Sequence, residues 1–269
     1  MTGAQDRTSR DRDAGDRDAG DRNAGDRIFR DRTDLRRSAR LLRAFRVEQT
    51  RPAVFYGLLA ADSVRLISRH GPLAGQLVLD VGAGPPEFAA AFAAAGARYV
   101  AVDADAGELA GPRPAGTLAL AARGERLPVP DGAVDLCFSS NVLEHVPAPW
   151  RFAGELLRVT RPGGLVVLSY TNWLSPWGGH ECSPWHYLGG YRATERYGRR
   201  YGRPPKNRYG EGLFPVSVAA GLRWARQEPR AELVDARPRY LPAAARPVLR
   251  VPGLREVATW NLWLVLRRR

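Results

Sequence analysis

The run Leu77-Val78-Leu79-Asp80-Val81 leads directly into Gly82-Ala83-Gly84-Pro85-Pro86, and an alanine-rich stretch, 87–95, follows. No other feature restricts the fold of this chain as tightly. A short apolar run reads as a buried strand, and paired glycines allow a turn whose bare backbone can approach a ligand. The alanines then favour a helix. A glycine turn alone is a weak signal, since an ordinary βα connection carries the same mark. Here a second apolar run, 99–102, ends in Asp103. It comes about 20 residues beyond the turn, where an acidic side chain in nucleotide-binding sheets accepts the ribose hydroxyls. Turn and acid together predict an open, parallel α/β sheet that holds a nucleoside-bearing ligand at its carboxyl ends.

The turn also separates ligand classes. A dinucleotide fingerprint, G-x-G-x-x-G, needs its third glycine at the position occupied by Glu87, and a carboxylate there would repel a pyrophosphate. It suits a cofactor without phosphate, the sulfonium S-adenosyl-L-methionine. Pro86 opens the helix, where its missing N–H costs no hydrogen bond.

Downstream lie Glu125-Arg126-Leu127-Pro128, Asp131 to Val146 with Ser139-Ser140-Asn141 at the end of an apolar run, a helical stretch at 149–159, Arg161-Pro162-Gly163-Gly164, and a strongly apolar strand at 165–169. In this order and spacing the chain resembles the methyltransferase type 11 branch of class I methyltransferases over roughly residues 77–171. The resemblance implies a Rossmann-like class I sheet, mostly parallel with an antiparallel C-terminal strand and helices on both faces. It also implies a transferase that uses S-adenosyl-L-methionine. By the same resemblance Asp80, Gly82, Ala83 and Gly84 meet the methionine part of the cofactor and Asp103 holds the ribose. The turn at 124–127 borders the adenine, and Ser139 closes the floor. Two positions depart from the pattern. Pro86 replaces a third turn glycine, and Arg123 stands where relatives often have an Asp for the adenine amine, which leaves that contact to backbone at Gly124 and Glu125. The whole chain, including its segments 178–180 and 206–210, is similar to uncharacterised actinobacterial methyltransferases, some linked to cell-envelope lipids.

With 269 residues, 44% of them apolar, the chain can bury one full core, and one domain over 34–269 is expected. Residues 11–27 repeat Asp-Arg-Asp-Ala-Gly with nothing apolar larger than alanine. Residues 1–33 therefore read as a disordered low-complexity tail. Within 34–72, Leu41, Leu42 and Phe45 alternate with arginines as in a basic amphipathic helix, suited to a membrane surface or a lid, and a second helix should pack on the sheet. No segment approaches the roughly 18 apolar residues of a membrane span, and the basic start lacks a secretory apolar run. A cytoplasmic protein is expected, with peripheral contact at the inner membrane face left open. Cys137 and Cys182 form no recognisable pair. The net charge of +13 rests on arginine, since Lys206 is the only lysine, a skew that genome composition explains as well as an anionic partner does.

Residues 171–214 follow the last parallel strand and carry Trp173, Trp177, His180, Cys182, Trp185, His186 and a Tyr/Arg-rich run. The segment reads as a substrate cover, because ligands of such sheets lie at those strand ends. His180, Cys182 and His186 match no common metal spacing, so no metal is expected. His145 and His180 are the candidates to take a proton from a hydroxyl acceptor; loop hydrogen bonding would explain either equally well. The Tyr/Arg run suits a solvated face, an anionic small molecule or lipid, or RNA. Ser-Asn-Val after Ser139, in place of the Asn/Asp-Pro-Pro-aromatic clamp of base methyltransferases, argues against nucleic acid. The expected function is methyl transfer to a small-molecule or lipid acceptor, with an RNA methyltransferase or a non-catalytic cofactor-binding protein as alternatives.

Overall fold

The computed structural model describes residues 34–48 and 50–269. The repeat tail expected over 1–33 lies outside the described residues. Residues 34–45 form helix α1, followed by α2 (Pro52–Ile67), β1 (Leu77–Val81), α3 (Glu87–Ala94), β2 (Arg98–Asp103), α4 (Ala106–Leu109), β3 (Leu118–Ala121) and β4 (Val134–Ser140). The second half holds α5 (Pro149–Val159), β5 (Thr160–Thr171), α6 (Gly190–Tyr201), α7 (Val218–Gln227), β6 (Ala231–Pro238), α8 (Leu254–Ala258) and β7 (Asn261–Arg268). One seven-stranded sheet runs β3-β2-β1-β4-β5-β7-β6. Strands β1 to β5 pair in parallel, and β7 lies antiparallel to both β5 and β6. This is the expected class I sheet.

Successive side chains of a strand point to opposite faces, and here both faces are covered. Val78, Leu136, Phe138, Val167, Trp263 and Val265 meet Phe55 and Leu59 of α2 and Phe88 and Phe92 of α3. Leu79, Val81, Cys137, Val166, Leu168, Leu264 and Leu266 meet Phe152 and Leu156 of α5 and Leu222 of α7. Buried on two sides, β4, β5 and β7 are almost uniformly apolar. Edge strand β3 had no place in the sequence reading: it has four residues, and Leu118 is 66% exposed.

Helix α1 packs on the body with its apolar face. Leu41 and Ala44 are buried, and Phe45 meets Phe55, Trp177 and Tyr240 edge-on or tilted. Arg37 donates two hydrogen bonds to Asp62, each 2.6 Å, and one to the carbonyl of Arg239. Of the two roles open to this helix, the packing fits a lid, because the apolar stripe that would enter a membrane is already used. The strands of the second half differ slightly from the sequence reading. β5 starts at Thr160, with Gly163 at φ +77° where its register against β4 shifts, and β6 and β7 are separated by helical turns at 243–250 and by α8. Among the described residues no helix is long and apolar enough to cross a membrane.

Candidate functional site

All strand ends that a nucleoside ligand would need converge at one edge of the sheet. Gly82 leaves β1 with φ +83°, and its N–H donates to the carbonyl of Val102 at 2.8 Å. A Cβ there would lie 2.2 Å from Val142 Cγ2, so both the left-handed backbone and the space require glycine. Ala83 N–H shares the Val102 carbonyl. Below the turn, Asp80 is 1% exposed; Tyr99 donates its hydroxyl to one carboxylate oxygen, and the other, Oδ1, has no partner. Burial pushes the Asp80 carboxyl up to about 7. At the end of β2, Asp103 accepts the N–H of Asp105 at 2.9 Å.

Beyond β3, Gly124 is forced by packing, since a Cβ would meet Phe152 Cε2 at 2.1 Å. Glu125 beside it is partly covered and pairs with exposed Arg123 at 3.5 Å. Ser139 at the end of β4 is fully buried and donates to the Val81 carbonyl at 2.8 Å, tying the floor of the site to β1. Gly84 faces Arg113, whose guanidinium donates to the carbonyls of Gly84, Glu108, Leu109 and Gly111. Arg113 had no signal in the sequence, because nothing marks a loop arginine as the one that folds back over a turn.

The two candidate histidines come together beyond Val142, whose carbonyl accepts the His145 N–H at 2.8 Å. His145 Nδ1 is 2.7 Å from the Gly212 carbonyl, and its ring is 4.9 Å from that of His180. A carbonyl only accepts, so Nδ1 donates in this contact. His180 has φ +49°, its Nε2 is buried without a partner, and burial holds it down to about 4, so the ring is neutral at neutral pH. The neighbouring glycines explain how it is held: a Cβ on Gly178 would lie 1.9 Å from the Trp173 carbonyl, and one on Gly179 2.5 Å from His186 Cβ. Glu144, overlooked in the sequence, completes this group. It is 1% exposed, accepts the N–H of Thr171 on Oε1 at 2.9 Å, and has no partner on Oε2. Cys182 and His186 go elsewhere: His186 Nε2 lies 3.1 Å from the Ser175 carbonyl, and Cys182 and Cys137 are both buried and free. Asn141 and Trp260 are the other residues besides glycine with positive φ, at 59° and 58° among the described residues. Asn141 accepts from Asn261, and Trp260 packs on Trp177.

Residues 171–214 run over these strand ends. Their inner face holds Trp173 against His186 and Tyr209, and Phe214 N–H donates to the Glu144 carbonyl. Their outer face leaves Trp185, Tyr187, Leu188 and Tyr191 between 42% and 67% exposed. The first turns of α6 sit beside them, with Arg196 stacked 3.7 Å over the Trp185 ring.

Comparison with known proteins agrees with this geometry. Residues 79–168 match the model of a methyltransferase domain. An uncharacterized methyltransferase of Mycobacteroides abscessus is 52% identical over 255 residues, covering 90% of this chain and 98% of the relative. One of Mycolicibacterium gilvum is 56% identical over 247 residues, covering 88% and 96%. An S-adenosylmethionine dependent methyltransferase from Mesorhizobium loti has a similar fold, with a TM-score of 0.54 at 20% identity over 77% of this chain and 98% of that one.

Proposed function

Because the chain belongs to the methyltransferases, we propose that it uses S-adenosylmethionine to methylate a small-molecule or lipid acceptor, delivered from an anionic membrane surface to the strand ends beside residues 171–214. The carrying observation is that one segment has two faces. It brings His180 to the strand ends, and outwardly it exposes Trp185, Tyr187, Leu188 and Tyr191 next to the arginines of α6. Aromatic side chains beside cations suit the boundary between headgroups and acyl chains.

The cofactor fits the residues present. The unpartnered, buried Oδ1 of Asp80 is an acceptor that lacks a donor, and the backbone of the turn is bare at Gly84, where a Cβ would meet only Glu108 Oε2 at 3.4 Å. In this reading Asp80, Gly82, Ala83 and Gly84 hold the methionine end, Asp103 the ribose, and Gly124 and Glu125 the adenine, over the floor made by Ser139. When bound, S-adenosylmethionine supplies an electrophilic methyl carbon on a sulfonium. The chain then has to align the acceptor with that carbon and exclude water. His145 and His180 border the acceptor side of Val142, where they orient the attacking atom or handle its proton.

The test of the membrane face is co-sedimentation with vesicles. Full-length protein should bind vesicles rich in phosphatidylglycerol and leave neutral phosphatidylcholine vesicles. Trp185→Ala/Tyr191→Ala should weaken that binding by about tenfold or more, at roughly 1–2 kcal/mol for two interfacial rings. Cofactor affinity should stay unchanged. Equal binding by the variant, or tight salt-sensitive binding of RNA with none of vesicles, refutes the proposed delivery route.

A further inference from the structure

We propose that Glu144, His145 and His180 form a binding site for one divalent transition-metal ion, zinc being the reference case, where the segment 171–214 meets the strand ends. The three residues each offer one donor atom, and all three atoms lie within 4.8 Å of one another. Around zinc, with bonds of about 2.0–2.2 Å, tetrahedral donors sit roughly 3.4 Å apart. Closing the shell therefore brings the donors together by up to about 1.4 Å.

Three further observations point to a ligand. Glu144 Oε2 and His180 Nε2 are both buried, and neither has a hydrogen-bond partner. Were the cluster a self-contained polar network, these atoms would bond to each other or to the backbone. Each side chain is also held from behind. His145 donates Nδ1–H to the Gly212 carbonyl, and Glu144 receives the Thr171 N–H on its other oxygen. Such outer contacts fix tautomer and orientation in protein metal sites. Lastly, Glu144 is 1% exposed. A carboxylate so deeply buried is costly to keep charged, and a divalent ion offsets that cost.

Two imidazoles and a carboxylate suit zinc, manganese or ferrous iron better than magnesium or calcium, which favour all-oxygen shells. Three protein donors leave a coordination position for a substrate oxygen. The inference rests on the reading above that the acceptor enters here, and it narrows the acceptor to a compound with an ionisable hydroxyl. Polarised at the metal, that hydroxyl releases its proton to water. Its oxygen then forms the new bond to the methyl carbon, and the pair of the broken S–CH3 bond returns to sulfur.

The signal was present but incomplete in the sequence. Glu144-His145 comes four residues after the end of β4, whereas His180 lies 35 residues beyond His145, and only the path of the 171–180 segment joins them.

The test uses the full chain, free of any histidine tag and stripped with a chelator. Titration with Zn²⁺ should give one site, and Co²⁺ in its place should give the visible absorption bands of a four- or five-coordinate ion. Glu144→Gln and His180→Ala should each weaken Zn²⁺ binding by about 100-fold or more, while His70→Ala leaves it unchanged. Should Glu144→Gln fail to fold, His180→Ala on the covering segment decides the matter. Wild-type protein that takes up no Zn²⁺ at micromolar concentration, or variants that bind it as wild type does, overturns the site. S-adenosylhomocysteine binding measured on the same samples keeps the two readings apart. Cofactor binding without metal binding removes only the metal, and metal binding without cofactor binding removes the reading of the glycine turn.

Discussion

Gly82→Ala should cost this protein about 2–5 kcal/mol of stability, and the cost should divide into two separable parts. The backbone part comes from φ +83°, where a residue with a Cβ pays roughly 1–2 kcal/mol. The packing part comes from Val142, whose Cγ2 and Cγ1 would lie 2.2 Å and 3.1 Å from the new methyl. Forcing such an overlap into a packed wall costs about 1–3 kcal/mol. Val142→Ala removes both γ-carbons and leaves the Cβ of residue 142 as the nearest of these contacts, at 3.2 Å. The double variant should therefore recover the packing part and retain the backbone part. Urea unfolding of wild type, both single variants and the double variant, followed by tryptophan fluorescence, measures the coupling directly. We expect about 1–3 kcal/mol of favourable coupling. Additive effects would refute the clash, and a Gly82→Ala variant as stable as wild type would refute the left-handed turn as well.

Asp103→Ala should weaken S-adenosylhomocysteine binding at least tenfold by calorimetry, since charge-assisted hydrogen bonds to the ribose carry about 1.5–3 kcal/mol; an unchanged dissociation constant would mean that the ribose is held elsewhere. A second expectation concerns pH. Burial raises the Asp80 carboxyl to about 7, against 3.8 for an ordinary aspartate, so between those values the folded state binds the proton and the unfolded state does not. The contribution of Asp80 to stability thus falls as pH rises from about 4 to 7. Asp80→Asn removes this dependence, so its melting temperature relative to wild type should climb across that interval. A constant difference from pH 4 to pH 8 would show that Asp80 is ionised throughout.

The parts of the site that were legible in the sequence are those in which one local constraint writes one residue type. Gly82 must be glycine because of its own φ and its own neighbour, and Asp103 must end a strand that the apolar run 99–102 already announces. β3 was not legible because its side chains are mostly exposed and carry little alternation. The helix preceding the turn packs on the sheet through Phe55 and Leu59, while its Val54 is 49% exposed. The histidine pair was legible only as separate residues. His145 and His180 stood out as histidines, but their 4.9 Å approach and the part of Glu144 depend on a loop whose course is set by Gly178 and Gly179 against Trp173 and His186. A trio of His180, Cys182 and His186, close together in sequence, invited comparison with metal sites, whereas the fold turns His186 away toward Ser175. Proximity along a loop is a poor guide to convergence, because a few degrees at each glycine redirect the side chains that follow.

The order in which this sheet is threaded also bears on how the protein comes into being on the ribosome. β6 is synthesised before β7, yet β7 lies between β5 and β6, so β6 has no neighbour to pair with until the later strand has slid into the gap. Arg37 binds the carbonyls of Arg239 and Leu241, 202 and 204 residues further along. At about 5–20 residues per second, the first helix emerges roughly 10–40 s before the segment that anchors it. Throughout that interval Leu41, Ala44 and Phe45 lack Tyr240 as a partner, and only after Thr171 has emerged are the glycine turn and strands β1 to β5 all present. A nascent chain paused after that point would display the five parallel strands with their first helix still unanchored.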